Sequence, residues 1–418
     1  MAVSGNRSGL IAALDVGSSK VCCFIARADL DGTLKIEGIG HQVSRGIKAG
    51  TVVDVDAVES SIRAAVDAAE RMAGETIGQV YLNLSNGRPH SDAVRVEVQV
   101  SGQQIDENDI RSAVSEGTRQ FNRPERDIIH AIPVVYSVDG AQGIRDPRGM
   151  YGDRLGVDIH IVTTEKGPTR NLRHCLERGR LGVKSTIVSP YASGLSCLVE
   201  DEREIGVTLI DMGGGTTTTS VFMEGSLVYS DVVPIGGQLV TSDIAKGLLI
   251  SIGDAERLKT LFGSATRSSS DDAETLTITQ VGQNGTGQTQ SIPRSMLTGI
   301  IQPRIEEIFE NVRDHLISSG YDTLAGKRVV LTGGASQLQG VNELAGTILN
   351  KQIRPGKPGH IDGLAEAAVG PAFATCAGLL AYATQGQAQP GMLNAAMLAQ
   401  SEPKSAMARV GRWLRENF

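Results

Sequence analysis

The chain opens on a short apolar run, Leu10 to Leu14, that ends in an acid, Asp15. Short apolar runs bounded by Gly, Ser or charged turns predict buried strands, so 10–15 is read as one. A Gly/Ser turn follows, then a second apolar strand at 20–28. An Asp31-Gly32 turn of hairpin type leads to a third strand at 33–39. The same pattern returns further along: a strand at 205–211 ending in Asp211, glycines at 213–215, a strand at 216–223, a Glu224-Gly225 turn and a strand at 226–234. Two meanders in register, each with an acid and glycines at its first turn, predict duplicated half-domains.

Between the copies the period changes. Across 54–73, Val58, Ile62, Ala65, Val66, Ala69 and Met72 recur at helical spacing and predict one amphipathic helix with these side chains on its buried face. Val80, Leu82 and Leu84 then mark a strand. From about 86 to 167, Val94, Val96, Val98 and Val100 alternate as a strand, 106–118 reads as a helix, and β-rich segments follow at 128–138 and 155–164. That is enough for a small α+β module set into the first half. The polar stretch 263–291, with an Asn284-Gly285 turn, predicts an exposed hairpin or loop. Residues 329–340 read as an apolar strand running through Gly333-Gly334 into a helix. Residues 385–404 show no period that buries a face and are expected to be a flexible linker.

Composition narrows the class. With 418 residues, 40% of them hydrophobic and 21% charged, more than one globular core is expected. The net charge of −7 argues against nucleic-acid binding, which needs a basic face. Cys22, Cys23, Cys175, Cys197 and Cys376 form no C-x-x-C pair and are expected to be buried thiols in a reducing compartment. The histidines form no metal-ligand cluster. No stretch reaches the ~18–20 apolar residues that cross a bilayer, and MAVSGNRSG holds no signal-peptide core, so a cytoplasmic location is expected.

The chemistry follows from the repeat. The turns DVGSSK (15–20) and DMGGGTTT (211–218) offer backbone N–H groups unobstructed by side chains, plus small hydroxyls. Gly17, Ser18 and Ser19 supply one set, and Gly213, Gly214, Gly215, Thr216 and Thr217 the other; such donors suit the phosphates of ATP. Asp15 and Asp211 face one cleft if the halves are related by a pseudo-twofold. They are candidate Mg2+ ligands, largely through water, and Lys20 would neutralise phosphate charge. Either turn alone reads equally well as an ordinary hairpin; their repetition favours a two-sided grip. GQNGTGQT at 282–289 is only superficially a P-loop, with Gln288 where the lysine belongs and no strand-to-helix context.

Together with LTGGASQL at 331–338, the two turns resemble the three signatures of the actin-type ATPase superfamily. The resemblance implies that Gly333, Gly334, Ala335 and Ser336 support the adenosine moiety. It also implies that DAERLK at 254–259 is the helix whose acid and lysine, here Glu256 and Lys259, contact the nucleoside. SPYASGLSCL (189–198) and PAFATCAGLL (371–380) resemble the two helices that connect the lobes. Within the superfamily the chain is similar, over essentially its whole length, to the FtsA family of bacterial cell-division proteins. VSRG at 43–46, VYLNLSNG at 80–87, EDEREIGVTLIDMGGGT at 200–216 and VTSDIA at 240–245 carry that match. The fold class so implied is α/β and actin-like, with duplicated ribonuclease H-like lobes and an inserted α+β subdomain, 1C. Lobe 1 (1A) is expected at 1–85, 168–200 and 371–384, with 1C at 86–167. Lobe 2 (2A) is expected at 201–236 and 329–370, with 2B at 237–328, the linker at 385–404 and a terminal helix at 405–418.

Placed on a helix, 405–418 puts Met407, Val410, Trp413, Leu414 and Phe418 on one side, with Arg409, Arg412, Arg415 and Glu416 on or beside the other. A basic amphipathic helix of this kind lies in a membrane interface and attracts anionic lipids. Docking on the chain's own core is the alternative, which the intervening linker disfavours. The family resemblance implies a homopolymer on the inner face of the cell membrane at the division site. It also implies capture of the FtsZ C-terminal peptide by the helix at 300–312, where Arg304 and Glu307 match charged family positions, and contact with later division proteins through 1C. At most slow ATP hydrolysis is expected. Two other readings use the same fold: a sugar kinase, for which no catalytic acid stands out, and an actin-like pilus-assembly ATPase, which lacks the amphipathic tail.

Overall fold

The computed structural model describes residues 9–29, 33–85, 87–121, 123–281, 287–385 and 392–394. The segment 405–418 and the Asp31-Gly32 and Asn284-Gly285 turns, which carry three of the expectations above, lie outside the described residues.

Lobe 1 begins with β1 (Leu10–Val16), β2 (Lys20–Ala28) and β3 (Leu34–Val43), antiparallel neighbours in sequence order. A short pair, β4 (Ile47–Lys48) and β5 (Thr51–Val52), leads into α1 (Val55–Ala73). Asp54 caps α1 by accepting from the Ala57 N–H, and Gly74 ends it at φ 72°, a left-handed conformation that glycine adopts without strain. Val58, Ile62, Ala65, Val66 and Ala69 are buried as the spacing predicts, but Met72 is 56% exposed. By the last turn the packed face has rotated past it, so Ala73 meets Gly38 of β3 instead. β6 (Gln79–Leu84) then runs parallel to β1.

The chain next leaves the lobe to build the inserted subdomain from β7 (His90–Gln99), α2 (Glu107–Gln120), β8 (Arg126–Val138), β9 (Ala141–Ile144) and β10 (Arg154–Glu165). It has its own core, with Val96, Ile110, Val114, Leu155 and Ile159 among its buried residues. α3 (Lys166–Arg178) and β11 (Gly182–Val188) complete lobe 1, whose sheet order is β11-β6-β1-β2-β3. α4 (Ser189–Cys197) and α5 (Glu200–Ile205) cross to lobe 2.

There β12 (Val207–Met212), β13 (Thr217–Met223) and β14 (Ser226–Val233) repeat the first meander. α6 (Gly237–Leu248), α7 (Ile252–Phe262), the strand pair β15 (Thr275–Thr279) and β16 (Thr289–Pro293), α8 (Arg294–Ser318) and α9 (Tyr321–Leu324) follow. β17 (Arg328–Thr332), α10 (Val341–Leu349) and β18 (Gln352–Pro355) finish a sheet ordered β14-β13-β12-β17-β18. Each lobe thus carries the same sheet, an antiparallel meander whose first strand continues into two parallel ones. α11 (Ala374–Gln385) returns to lobe 1 and crosses α4 where Gly378 lies against the Ala192 carbonyl, an approach that only glycine permits.

One further feature departs from the sequence reading, and another was not anticipated by it. The segment expected to be a linker begins inside α11, and Leu393–Asn394 form a strand, β19, on the edge of β8. A three-residue contact leaves no periodic trace, which is why it reads as a linker. The inserted subdomain is also bonded to the other lobe. His160 donates through Nδ1 to the Leu227 carbonyl (3.0 Å), its Nε2 lies 2.9 Å from Ser91 Oγ, and Ser91 Oγ both donates to the Ser230 carbonyl and accepts from its N–H at 2.8 Å. Cavities of about 380 and 500 Å³ flank this seam.

Candidate nucleotide site between the lobes

The two acid-and-glycine turns close in the same way. Gly17 N–H donates to the Lys20 carbonyl at 3.0 Å, and Gly213 N–H to the Thr216 carbonyl at 2.9 Å. Those bonds leave the amides of Ser18, Ser19, Gly214 and Gly215 without an acceptor among the described residues. The turns face each other across the gap between the lobes and touch. A Cβ on Gly214 would strike the Ser19 hydroxyl, and one on Gly215 the Ser18 hydroxyl. Both positions therefore need glycine for close approach, independently of backbone angle. Ser18 Oγ accepts from Gly50 N–H (3.0 Å), which fixes the first turn, while Gly237 and Gln238 at the start of α6 donate to the Gly213 and Gly214 carbonyls (3.0 and 2.7 Å).

Asp15 and Asp211 sit at the ends of β1 and β12, both buried. Burial pushes the Asp15 carboxyl up to about 6; Lys20 opposes the rise and Asp211 adds to it. Burial also raises Asp211, against hydrogen bonds from Ser193 Oγ (2.6 Å) and Thr375 Oγ1 (3.1 Å) and the charge of Lys20. Two nearby buried carboxylates that share the charge of one lysine form a site short of positive charge, and a hydrated divalent cation fits that donor set. Lys20 Nζ donates to the Ala372 carbonyl and lies 3.6 Å from the centre of the Phe373 ring. Among the described residues no group of three or more His, Cys, Asp or Glu comes together as a metal cage.

The expected nucleoside side assembles next to these turns. Lys259 Nζ donates to the Gly237 carbonyl (3.0 Å), Thr241 Oγ1 (2.8 Å) and Glu256 Oε2 (2.8 Å). A Cβ on Gly237 would lie 3.1 Å from the Ala335 methyl, so Glu256, Lys259 and the 333–336 turn converge. Gly333 takes φ 88° and packs on Asp211 Oδ1 and the Met212 carbonyl, while Ser336 Oγ donates to the Gly333 carbonyl (2.7 Å). Thr217 Oγ1 donates to the Ile235 carbonyl (2.8 Å), steadying the second turn.

The sequence reading missed Ser193 and Thr375, which hold Asp211, and Gln238, whose Nε2 donates to the Ser18 carbonyl (2.9 Å) and ties the lobes together. It also missed Asn83, which accepts from Val16 N–H (2.7 Å) beneath the first turn. Arg304 and Glu307 lie away from the cleft on α8. They are not vacant charges: Arg304 Nε pairs with Asp243 at 2.6 Å, its guanidinium also meets Glu307, and the Asp243 bond raises its hold on its proton.

The second turn and its surroundings, from Asp211 to Thr375, fall within a region that comparison recognises, whereas the first turn at 15–20 precedes both matched regions. A family model described as "Cell division protein FtsA" matches residues 208–378, and one described as "SHS2 domain inserted in FTSA" matches 86–163. The cell division protein FtsA of Rhizobium meliloti (strain 1021) is 44% identical over 422 residues, covering 99% of this chain and 96% of that one. The chain belongs to the FtsA family. FtsA of Pseudomonas aeruginosa, 33% identical with 98% of each chain covered, extends the kinship across distant members. Solved structures place the FtsA-family fold among the actin-like proteins. MreB5 of Spiroplasma citri bound to ADP superposes with TM-score 0.54 at 13% identity, covering 91% of this chain and 98% of that one. A chain of the PilM-PilN type IV pilus biogenesis complex superposes with TM-score 0.63 at 16% identity, covering 90% and 98%.

Proposed function

We propose that this FtsA-family chain binds ATP with Mg2+ between its lobes, polymerises, and tethers FtsZ filaments to the inner face of the cell membrane at the division site. The observation that carries the nucleotide reading is the meeting of two identically closed turns, with their spare amides and two buried acids, in one cleft. The amides of Ser18, Ser19, Gly214 and Gly215 bind phosphate oxygens, and Lys20 swings from the Ala372 carbonyl to meet them. Asp15 and Asp211 hold the Mg2+ through its water shell, and the ion offsets their mutual repulsion and phosphate charge. Glu256 and Lys259 reach the ribose, and Gly333 to Ser336 back the base. Because the turns touch directly, the nucleotide must part them, so occupancy sets the angle between the lobes. Hydrolysis is slow and regulatory in this reading, since the two acids serve the metal.

Arg304 and Glu307 on α8 receive the acidic FtsZ peptide, which takes over the place of Asp243 beside Arg304. The segment 405–418 supplies the membrane contact through Met407, Val410, Trp413, Leu414 and Phe418, with Arg409, Arg412 and Arg415 facing anionic lipid headgroups. One short helix binds weakly, and a polymer multiplies it by avidity. The inserted subdomain remains as a surface for later division proteins.

Co-sedimentation of the full chain with phosphatidylglycerol-containing vesicles, ATP and FtsZ tests this. Vesicles should bring down FtsZ only when residues 405–418 and ATP are both present. Recruitment that persists without the tail, or phosphotransfer to a sugar, would overturn the reading.

A further inference from the structure

Two adjacent residues in the segment expected to be free, Met392 and Leu393, are seated in two different cores. Leu393 pairs with Ala131 and Asn394 with His130 on the edge of β8. Leu393 is buried with the inserted subdomain's core, while Met392 is buried with that of lobe 1, its Sδ 3.9 Å from the Tyr191 hydroxyl. Adjacent strand residues point to opposite sides, so two neighbouring side chains stitch the insertion to the lobe.

We propose that residues 392–394 are a releasable strap that sets how far the C-terminal segment reaches from the body. The strap covers an edge of β8 that would otherwise present unpaired backbone groups. Its own ladder spans only two residues, against thirteen in β8, so it is a weakly held part of that sheet. The seat beneath it is incompletely satisfied. His130 Nε2 accepts from Val188 N–H (3.2 Å), so Nδ1 carries the proton, and it has no acceptor among the described residues. Covalent geometry gives the consequence. With the strap seated, about ten residues separate β19 from position 405, a reach of at most ~35 Å; released, about nineteen residues after α11 reach ~65 Å. Seating therefore halves the tether and moves its origin from the end of α11 to the edge of the inserted subdomain. The membrane consequence rests on the proposed role of 405–418, whereas the strap itself does not.

The test uses the full chain carrying Leu393→Cys with Ala131→Cys, and separately Leu393→Asp. Mild oxidation should link the first pair within the chain. In the second, amide hydrogen exchange over 128–134 should quicken at least tenfold. On a supported bilayer of phosphatidylcholine and phosphatidylglycerol, neutron reflectivity should place the body farther out for Leu393→Asp than for the oxidised pair, with reduction removing the difference. Failure to cross-link together with unchanged exchange overturns the strap. A strap that forms without altering the separation overturns its control of reach. Loss of bilayer binding by every variant, wild type included, counts against the membrane reading, while cross-linking and exchange still decide the strap. If Leu393→Asp does not fold, Met392→Ala with Leu393→Ala gives the same exchange comparison.

Discussion

Asp15→Asn should make the empty protein more stable and the nucleotide-loaded protein less so. Moving the Asp15 carboxyl from its ordinary value of 3.8 to about 6 corresponds to ~3 kcal/mol. The folded value lies above the unfolded one. Between pH ~4 and ~6 the native state therefore keeps a proton that the unfolded chain releases, and stability falls as pH rises through that window. Asparagine carries no such charge, so the variant's advantage over wild type should grow by ~3 kcal/mol between pH 3 and pH 7.5. For 418 residues melting as one unit this is ~3–4 °C, and about twice that if one lobe melts alone. Scanning calorimetry of nucleotide-free protein at the two pH values measures it. Taking the difference between the variants cancels other titrating groups. Millimolar Mg2+ and ATP should then reverse the order at pH 7.5, since ligand stabilises only the chain that binds it. A variant whose offset from wild type is the same at both pH values, or that binds Mg-ATP like wild type, would refute the reasoning.

Other outcomes follow from the same contacts. Gly214→Ala places a methyl on the Ser19 hydroxyl and should weaken nucleotide binding at least tenfold by fluorescent-ATP titration, with Ser19→Gly restoring much of it in the double variant. Lys20→Ala removes the cation that restrains Asp15, so carboxyl NMR should show that residue titrating above 6. Burial holds His160 down to about 4, so the native ring resists a proton that the unfolded chain accepts below ~6.5, and stability is lost as pH falls from there toward 4. His160→Gln should flatten that part of the acid-denaturation curve. Arg304→Ala breaks only partly exposed ion pairs and should change stability by under ~1 kcal/mol, while calorimetric titration should show weaker binding of the FtsZ C-terminal peptide.

The duplicated sheets were legible because their signal is local. An acid, a glycine turn and a period-two strand occupy consecutive positions, and Asp15, Gly17, Asp211 and Gly213 could be paired by eye. The insertion showed itself as a break in that rhythm. What stayed hidden depends on residues distant in sequence. Ser193 and Thr375 meet at Asp211 from two crossing helices, and no spacing rule links them. Gln238 and the Ser91–His160–Ser230 seam are invisible for the same reason. Met72 failed because helical spacing admits either of two neighbours on the last turn, and only the position of Gly38 selects Ala73. The Arg304–Asp243 pair was not foreseen because Asp243 lies on another helix.

The seam between the insertion and the second lobe carries a mechanical consequence. A subdomain that grows out of one lobe and is pinned to the other turns a simple jaw into a closed loop of linked bodies. Such a linkage cannot gape freely: with α4 and α11 crossing at Gly378 and Ser91 bonded to Ser230, opening at the phosphate turns must rotate about the line joining those two points. Torque applied to the insertion is then delivered along that axle to the two acid-and-glycine turns.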